Sequence, residues 1–207
     1  MSRYHSYDPL QGHGLPHDPT KAIVAPRPIG WISSIDSDGR VNLAPYSFFN
    51  LFNSNPPILI FGSEGCKDSI RNIAATGEFV FNLATRSLAE AMNLSSGVYP
   101  ADVDEFVVAG LEKVASEAVA PPRVAASPAA MECRLLEIKP LTDLDGNALA
   151  SALVIGQAVR VHIAREYLNE GQFDTARAGP IARCGYRGDY AEVNGLFEML
   201  RPPVNAR

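Results

Sequence analysis

The stretch from Pro28 to Asn50, PIGWISSIDSDGRVNLAPYSFFN, constrains the fold more than any other part of the chain. Ile29, Trp31, Ile32 and Ile35 form an apolar arm, and Asp36-Ser37-Asp38-Gly39 is turn chemistry. Asp38-Gly39 supplies the positive φ that tight hairpin turns need. The second arm, Val41 to Ala44, meets Pro45, which has no amide hydrogen to give to a ladder. The pattern predicts a β-hairpin whose second strand peels away at Pro45 and leaves Asn42 to Phe49 free to face something else. Ser33, Ser34, Asn42, Ser47 and Asn50 on these mostly apolar strands mark one wall of a ligand site.

The 207 residues fit a single domain, with enough chain to bury roughly 70–75% of the unfolded surface. A net charge of −5 gives no surplus of cations to displace counterions, which argues against nucleic-acid binding. No apolar run approaches the ~20 residues of a membrane span, and MSRYHSYDPL has no apolar signal core, so the expected location is the cytoplasm. Cys66, Cys133 and Cys184 are too few and too scattered for a disulfide framework or a cysteine zinc site. His13 and His17 have a ligand spacing only on a helix, which Gly14 and Pro16 oppose, so no metal is expected.

Beyond the hairpin, Ile58-Leu59-Ile60-Phe61 and Phe79-Val80-Phe81-Asn82-Leu83 read as strands. A third strand starts near Met131, turns at Asp143 to Asn147 with Asp145-Gly146, and returns from Leu149 to Ile163. His162 on the polar face of that return reads as a hydrogen-bonded surface residue. Ile70, Ile73 and Ala74 recur at helical spacing between a cap at Asp68 and a stop at Gly77, and Ser87-Leu88-Ala89-Glu90 reads as a capping box. Residues 98–127 form a long excursion with some helix, placed where it could cover a site. Strands arriving as hairpins favour an antiparallel barrel with peripheral helices over a doubly wound sheet. The expected division is an irregular arm (1–20), a barrel domain (21–192) and a tail (193–207).

Ser63-Glu64-Gly65-Cys66-Lys67-Asp68-Ser69 joins a strand to a helix start. Unpaired amides and the positive end of a helix dipole suit an anion there, with Lys67 adding a full charge. No dinucleotide fingerprint, P-loop sequence, Gly-x-Ser-x-Gly elbow or catalytic triad is present in the sequence, and no catalytic side chain is assigned.

The run from Pro16 to Ser34 resembles the opening of flavin reductase-like proteins with the FMN-binding split-barrel fold. So do Asn42-Leu43-Ala44-Pro45-Tyr46-Ser47-Phe48-Phe49-Asn50, the Pro56-Pro57 strand and Lys67-Asp68-Ser69-Ile70-Arg71-Asn72-Ile73. Ile155-Gly156-Gln157 through His162, and Ile181-Ala182-Arg183-Cys184-Gly185 with Tyr190, are similar as well. The resemblance spans residues 14 to 191, and several motifs in the right order make it specific.

It implies a closed barrel of about six strands and FMN held non-covalently, usually at a homodimer interface. The phosphate would lie with Lys67, Asp68, Ser69 and the hydroxyls of Ser33 or Ser34. Ser63 lies in the same strand-to-helix turn. The ring would lie along Asn42, Ala44, Tyr46 and Ser47, with the backbone of Ala44 and Tyr46 pairing with its edge. Arg27 and Arg183 are further phosphate or dimer contacts. The implied activity is hydride transfer from NADH or NADPH to FMN, and then electron delivery to a small-molecule acceptor. Many short flavin reductases carry Gly-Asp-His where this chain reads Asn147-Ala148-Leu149-Ala150-Ser151-Ala152, so no nicotinamide-holding histidine carries over. Two alternatives are an FMN-holding electron carrier without its own turnover and a split barrel that has lost flavin. Anaerobic bleaching by NADH separates the first from a reductase, and retention of FMN separates the second.

Overall fold

The computed structural model describes residues 3–202, which excludes Pro203 and the end of the expected tail. The chain enters through α1 (Thr20–Ile23) and β1 (Arg27–Pro28). The hairpin β2 (Gly30–Ile35) and β3 (Val41–Tyr46) follows, then β4 (Phe49–Ser54), β5 (Pro57–Glu64), α2 (Asp68–Thr76) and β6 (Glu78–Leu83). An excursion carries α3 (Ala89–Leu94), α4 (Glu105–Val108), β7 (Lys113–Val114) and β8 (Arg123–Val124). The long hairpin β9 (Ala129–Thr142) and β10 (Ala148–Ile163) comes next. The chain closes with β11 (Leu168–Asn169), β12 (Gln172–Phe173), α5 (Thr175–Ala178), β13 (Ile181–Arg183) and β14 (Tyr190–Glu192).

The main sheet runs β3-β2-β6-β9-β10-β5-β4, antiparallel throughout. Its two end strands, β3 and β4, are consecutive in the chain and separated only by Ser47 and Phe48. The Gly62 amide donates to the Phe48 carbonyl at 2.7 Å, so the chain itself carries the ladder round to β5. The ladder has seven strands rather than six, because the sixth wall of the barrel is one bent segment counted as β3 and β4. The split lies at that bend.

The turns follow the sequence. Asp36 Oδ1 accepts from the amides of Asp38 and Arg40, and Gly39 takes φ +84°. Asp143 does the same for Asp145 and Asn147. Pro45 differs from expectation: it stays in register opposite Trp31, and pairing continues to Gly30 opposite Tyr46. A proline is tolerated there because β3 is a sheet edge and its missing amide faces away from β2. Two caps also differ. Lys67, not Asp68, precedes α2, whereas Gly77 ends it in the left-handed region as expected. Ser87 caps no helix; its hydroxyl pairs with that of Thr85.

Ile32, Leu59, Phe61, Phe79, Phe81 and Val154 fill the barrel, which Ile70 and Ile73 of α2 close at one end. Gly156 is required there, since a Cβ would stand 2.3 Å from the Phe79 ring. A second cluster, with Trp31, Leu43, Met92, Phe106 and Val124, lies outside the barrel wall under α3 and α4. β2 is therefore buried on both faces.

The excursion is fastened by buried polar side chains of the barrel wall. Ser33 Oγ donates to Pro122 O at 2.5 Å, and Asn82 Oδ1 accepts from the Val124 amide at 2.8 Å. Glu132, fully buried, accepts from the amides of Glu117 (2.8 Å) and Ala118 (2.6 Å) and pairs with His162 Nε2 at 2.6 Å. His162 thus has a structural partner. Burial pushes the Glu132 carboxyl up, but the two amides and His162 outweigh it and hold it below its ordinary value of 4.5.

Because folding depresses that carboxyl, its contribution is complete above its unfolded value and fades as pH falls through the folded one. Glu132→Ala should cost about 3–5 kcal/mol in urea unfolding at neutral pH. Below pH ~4 the gap between mutant and parent should narrow. A gap that widened on acidification would contradict this assignment.

Candidate functional site

The site is built at the outer edge of β3. Leu43 N–H is taken by Glu105 Oε2 at 3.0 Å, and Pro45 has none. The alternation of an antiparallel ladder therefore turns the backbone groups of Asn42, Ala44 and Tyr46 toward β2 and those of Leu43 and Pro45 outward. The outward backbone expected at Ala44 and Tyr46 thus lies one residue away, at Leu43 and Pro45.

Beside this edge is a cleft of about 240 Å³. Its floor is Asn42, Ala44, Pro45 and Tyr46, one wall is the start of α2 with Lys67, Asp68, Ser69 and Arg71, and the other is Ser95 to Tyr99 with Glu105. Six expected site residues thus meet in one place: Asn42, Ala44, Tyr46, Lys67, Asp68 and Ser69. Ser47 lines a second hollow of about 170 Å³ with Lys21, Phe48 and Gly62, which shares Pro45, Tyr46 and Lys67 with the first.

The electrostatics of the cleft are asymmetric. Asp68 is ion-paired with Arg71, whose Nη1 also donates to Cys66 O at 2.9 Å. Lys67 makes no ion pair among the described residues; its Nζ stands 6.0 Å from the Tyr46 ring centroid. The first intrahelical bond of α2 runs from Arg71 N–H to Lys67 O, and no side chain among the described residues caps this helix, so the amides of Asp68, Ser69 and Ile70 are left without helical acceptors. A cation and a row of free amides meet at one helix start.

The buried side chains beneath are also polar. Asn42 Nδ2 donates to Ser69 Oγ at 2.8 Å. The Tyr46 hydroxyl is buried and has no hydrogen bond of good geometry, although Ser63 and Ser69 stand near it. Burial raises its pKa, with the nearby Ser69 and Ser63 hydroxyls offsetting part of the rise. Burial likewise pushes the Glu105 carboxyl up against the lowering effect of the Leu43 amide. Sequence reasoning missed Glu105 and Arg71 as wall residues. The Asp104 cap on the Phe106 amide (3.0 Å) was the local signal for a helix start at Glu105, but nothing in the sequence says that this helix meets β3.

Other expected residues lie elsewhere. Ser33 and Ser34 are fully buried under the excursion and α2; Ser34 Oγ accepts from Asn72 Nδ2 at 3.2 Å. Both hydroxyls are committed internally, which removes them from any surface a phosphate reaches. Ser63 is buried and donates to Gly65 O at 3.2 Å. Arg27 is structural: it binds the carbonyls of Lys21 and Val24 (2.5 and 2.7 Å) and of Cys184 (3.2 Å), tying α1 to the loop after β13. Arg183 stacks on Tyr190 at 4.7 Å and donates to Asp189 O at 3.2 Å. His13 accepts the Leu15 amide on Nδ1 in an irregular segment, and no metal-ligating cluster occurs among the described residues.

Residues 24–178 match the family model described as flavin reductase like domain. The chain belongs to the flavin reductase-like family. An uncharacterized protein of Deinococcus radiodurans is 34% identical over 192 residues, covering 87% of this chain and 82% of that one. Nitrilotriacetate monooxygenase component B from Bacillus cereus superposes with TM-score 0.86 at 29% identity, covering 96% of this chain and all (100%) of that one. The 2-nitrobenzoate 2-nitroreductase of Pseudomonas fluorescens gives 0.78 at 26% identity and covers 91% of each chain. Within the family, the fold is a split barrel and the chemistry is flavin-related oxidoreduction.

Tyr46→Phe removes a buried hydroxyl that gains little in the folded protein. Its stability in urea unfolding should be unchanged or higher by about 1 kcal/mol. A loss above about 2 kcal/mol would show that the hydroxyl is engaged.

Proposed function

We propose that the chain binds FMN at the edge of β3 and is an oxidoreductase that moves electrons from NADH or NADPH to a small-molecule acceptor. The observation that carries this reading is the pairing of Lys67 with the free amides of Asp68 and Ser69 at the start of α2, a phosphate-binding arrangement on the wall of a cleft. The donor set fits FMN in other respects. The outward carbonyl of Pro45, on the cleft floor, can accept a hydrogen bond from the edge of a flat ring.

Bound FMN would supply the hydride and electron chemistry. The residues of this chain hold and orient it. Lys67 and the α2 amides take the phosphate, the β3 edge aligns the ring, and Ser47 with Phe48 extends the contact past the split. Arg71 neutralises Asp68, so the anion meets no net negative charge at the helix start.

Assembly as a homodimer is part of the proposal. Val159, Val161 and Ile163 form an exposed apolar stripe on β10, and Leu51 and Phe52 are exposed on β4, which a second copy would cover. No helix of the described residues is long and apolar enough to cross a membrane. A second reading, FMN-holding electron carrier without its own turnover, is favoured by the absence of Gly-Asp-His at residues 147–152.

The purified protein should show a flavin visible spectrum, or acquire one with added FMN, and anaerobic NADH or NADPH should bleach it within turnover times. A bound flavin that neither nucleotide reduces would select the carrier. Lys67→Ala should weaken FMN affinity by about 1.5–3 kcal/mol in a fluorescence titration, the scale of a charge-assisted hydrogen bond. Unchanged affinity would remove Lys67 from the site.

A further inference from the structure

The second wall of the cleft is held differently from the first. At one end Ser95 is buried, its hydroxyl accepting from Trp31 Nε1 at 2.9 Å and donating to Met92 O at 2.8 Å. At the other end Glu105 is buried and accepts the amide of Leu43 on β3. Between these anchors, the hydrogen bonds of residues 96–103 stay within their own stretch of chain. Ser96 and Gly97 bond back to Asn93 and Leu94, the Tyr99 hydroxyl to Leu94 O at 3.0 Å, and Val103 to Pro100. Asp104 then pairs with Lys113, on the excursion rather than the barrel. Val98 is wholly exposed, and Tyr99 lines the cleft. Its ring lies over Gly97, where a Cβ would stand 2.6 Å from it.

The rest of the excursion is unlike this stretch, because Ser33, Asn82 and Glu132 bind its backbone from the barrel wall. Residues 96–104 are thus a span fixed at two points and unbonded across the opening they border.

We propose that residues 96–104 form a movable wall that decides which second reactant reaches the cleft, with Tyr99 setting the width of the opening and Glu105 as the positioning residue that latches the wall to β3. The assignment of Tyr99 rests on the flavin reading of the cleft; the latch does not. The second reactant addressed is a flat organic acceptor that must enter between Tyr99 and the β3 edge, in contrast to one that takes electrons at the rim.

Two measurements decide it. Hydrogen exchange on the protein without added flavin reads the latch. In the parent protein, amides 96–104 should exchange faster than those of Leu43 and Ser95. Glu105→Ala should speed exchange of the Leu43 amide and of 96–104 by about tenfold or more, and Glu105→Gln, which keeps an acceptor oxygen, should retain the protection. Uniform protection in the parent, or no change in Glu105→Ala, would overturn the latch. If Glu105→Ala fails to fold, the parent profile and Glu105→Gln still decide.

The opening is read by stopped flow with FMN-loaded protein reduced anaerobically by light with EDTA as the electron donor, which needs no nicotinamide. Menadione takes two electrons and two protons to the hydroquinone, and two ferricyanides take one electron each. Tyr99→Ala should raise the menadione rate constant about fivefold or more relative to ferricyanide, both measured on protein saturated with FMN. An unchanged ratio would remove Tyr99 from the gate. Failure to take up FMN at all would count against the flavin reading and leave the exchange result standing.

Discussion

A sheet edge must find partners for its backbone, and the outer edge of β3 is where this fold leaves one open. The barrel closes through the chain at Ser47-Phe48 rather than through a ladder between β3 and β4, so no strand of the described residues covers the outer edge of β3. Pro45 removes one donor from that edge and Glu105 satisfies the next at Leu43. What remains is the Pro45 carbonyl on the floor of a cleft whose far wall is a helix start with free donors. The proposed binding site follows from an incomplete β-barrel rather than from a catalytic constellation.

The two walls are held with different rigidity. α2 is packed into the barrel end by Ile70 and Ile73, which holds its first amides in place. The excursion is held by polar side chains that the barrel wall sends outward, of which Glu132 with His162 is the most completely satisfied. Burying a carboxylate is costly unless every oxygen is paired, and here backbone amides and an imidazole do so. The span between Ser95 and Glu105 receives no such bond, which gives the site one fixed wall and one adjustable one.

Much of this was legible in the sequence because it is local. Asp-Gly turns, alternating apolar strands and the helix ended by Gly77 are encoded within a few residues of themselves. The meeting of Asn42, Tyr46, Lys67 and Ser69 was legible through the family resemblance and the chemistry of a helix start. The illegible parts depend on pairing at long range. Ser33 and Ser34 look like surface hydroxyls until the excursion and α2 are seen to cover β2. Arg27 reads as an anion contact until α1 and the Cys184 loop converge on it. Glu105 carries no signal of its role, because its partner is a backbone amide 62 positions away. The peeling expected at Pro45 failed for a simpler reason: a proline ends pairing only on the side its nitrogen faces.

The central claim is that the helix start of α2, with Lys67, recognises a phosphate while the β3 edge takes a flat ring. The most direct test compares FMN with riboflavin, identical but for that phosphate, by isothermal titration of the flavin-free protein at low ionic strength. The account predicts FMN tighter by about 3 kcal/mol, roughly a hundredfold, with the difference shrinking as salt is added. Equal affinities for the two flavins, or a preference indifferent to salt, would contradict it.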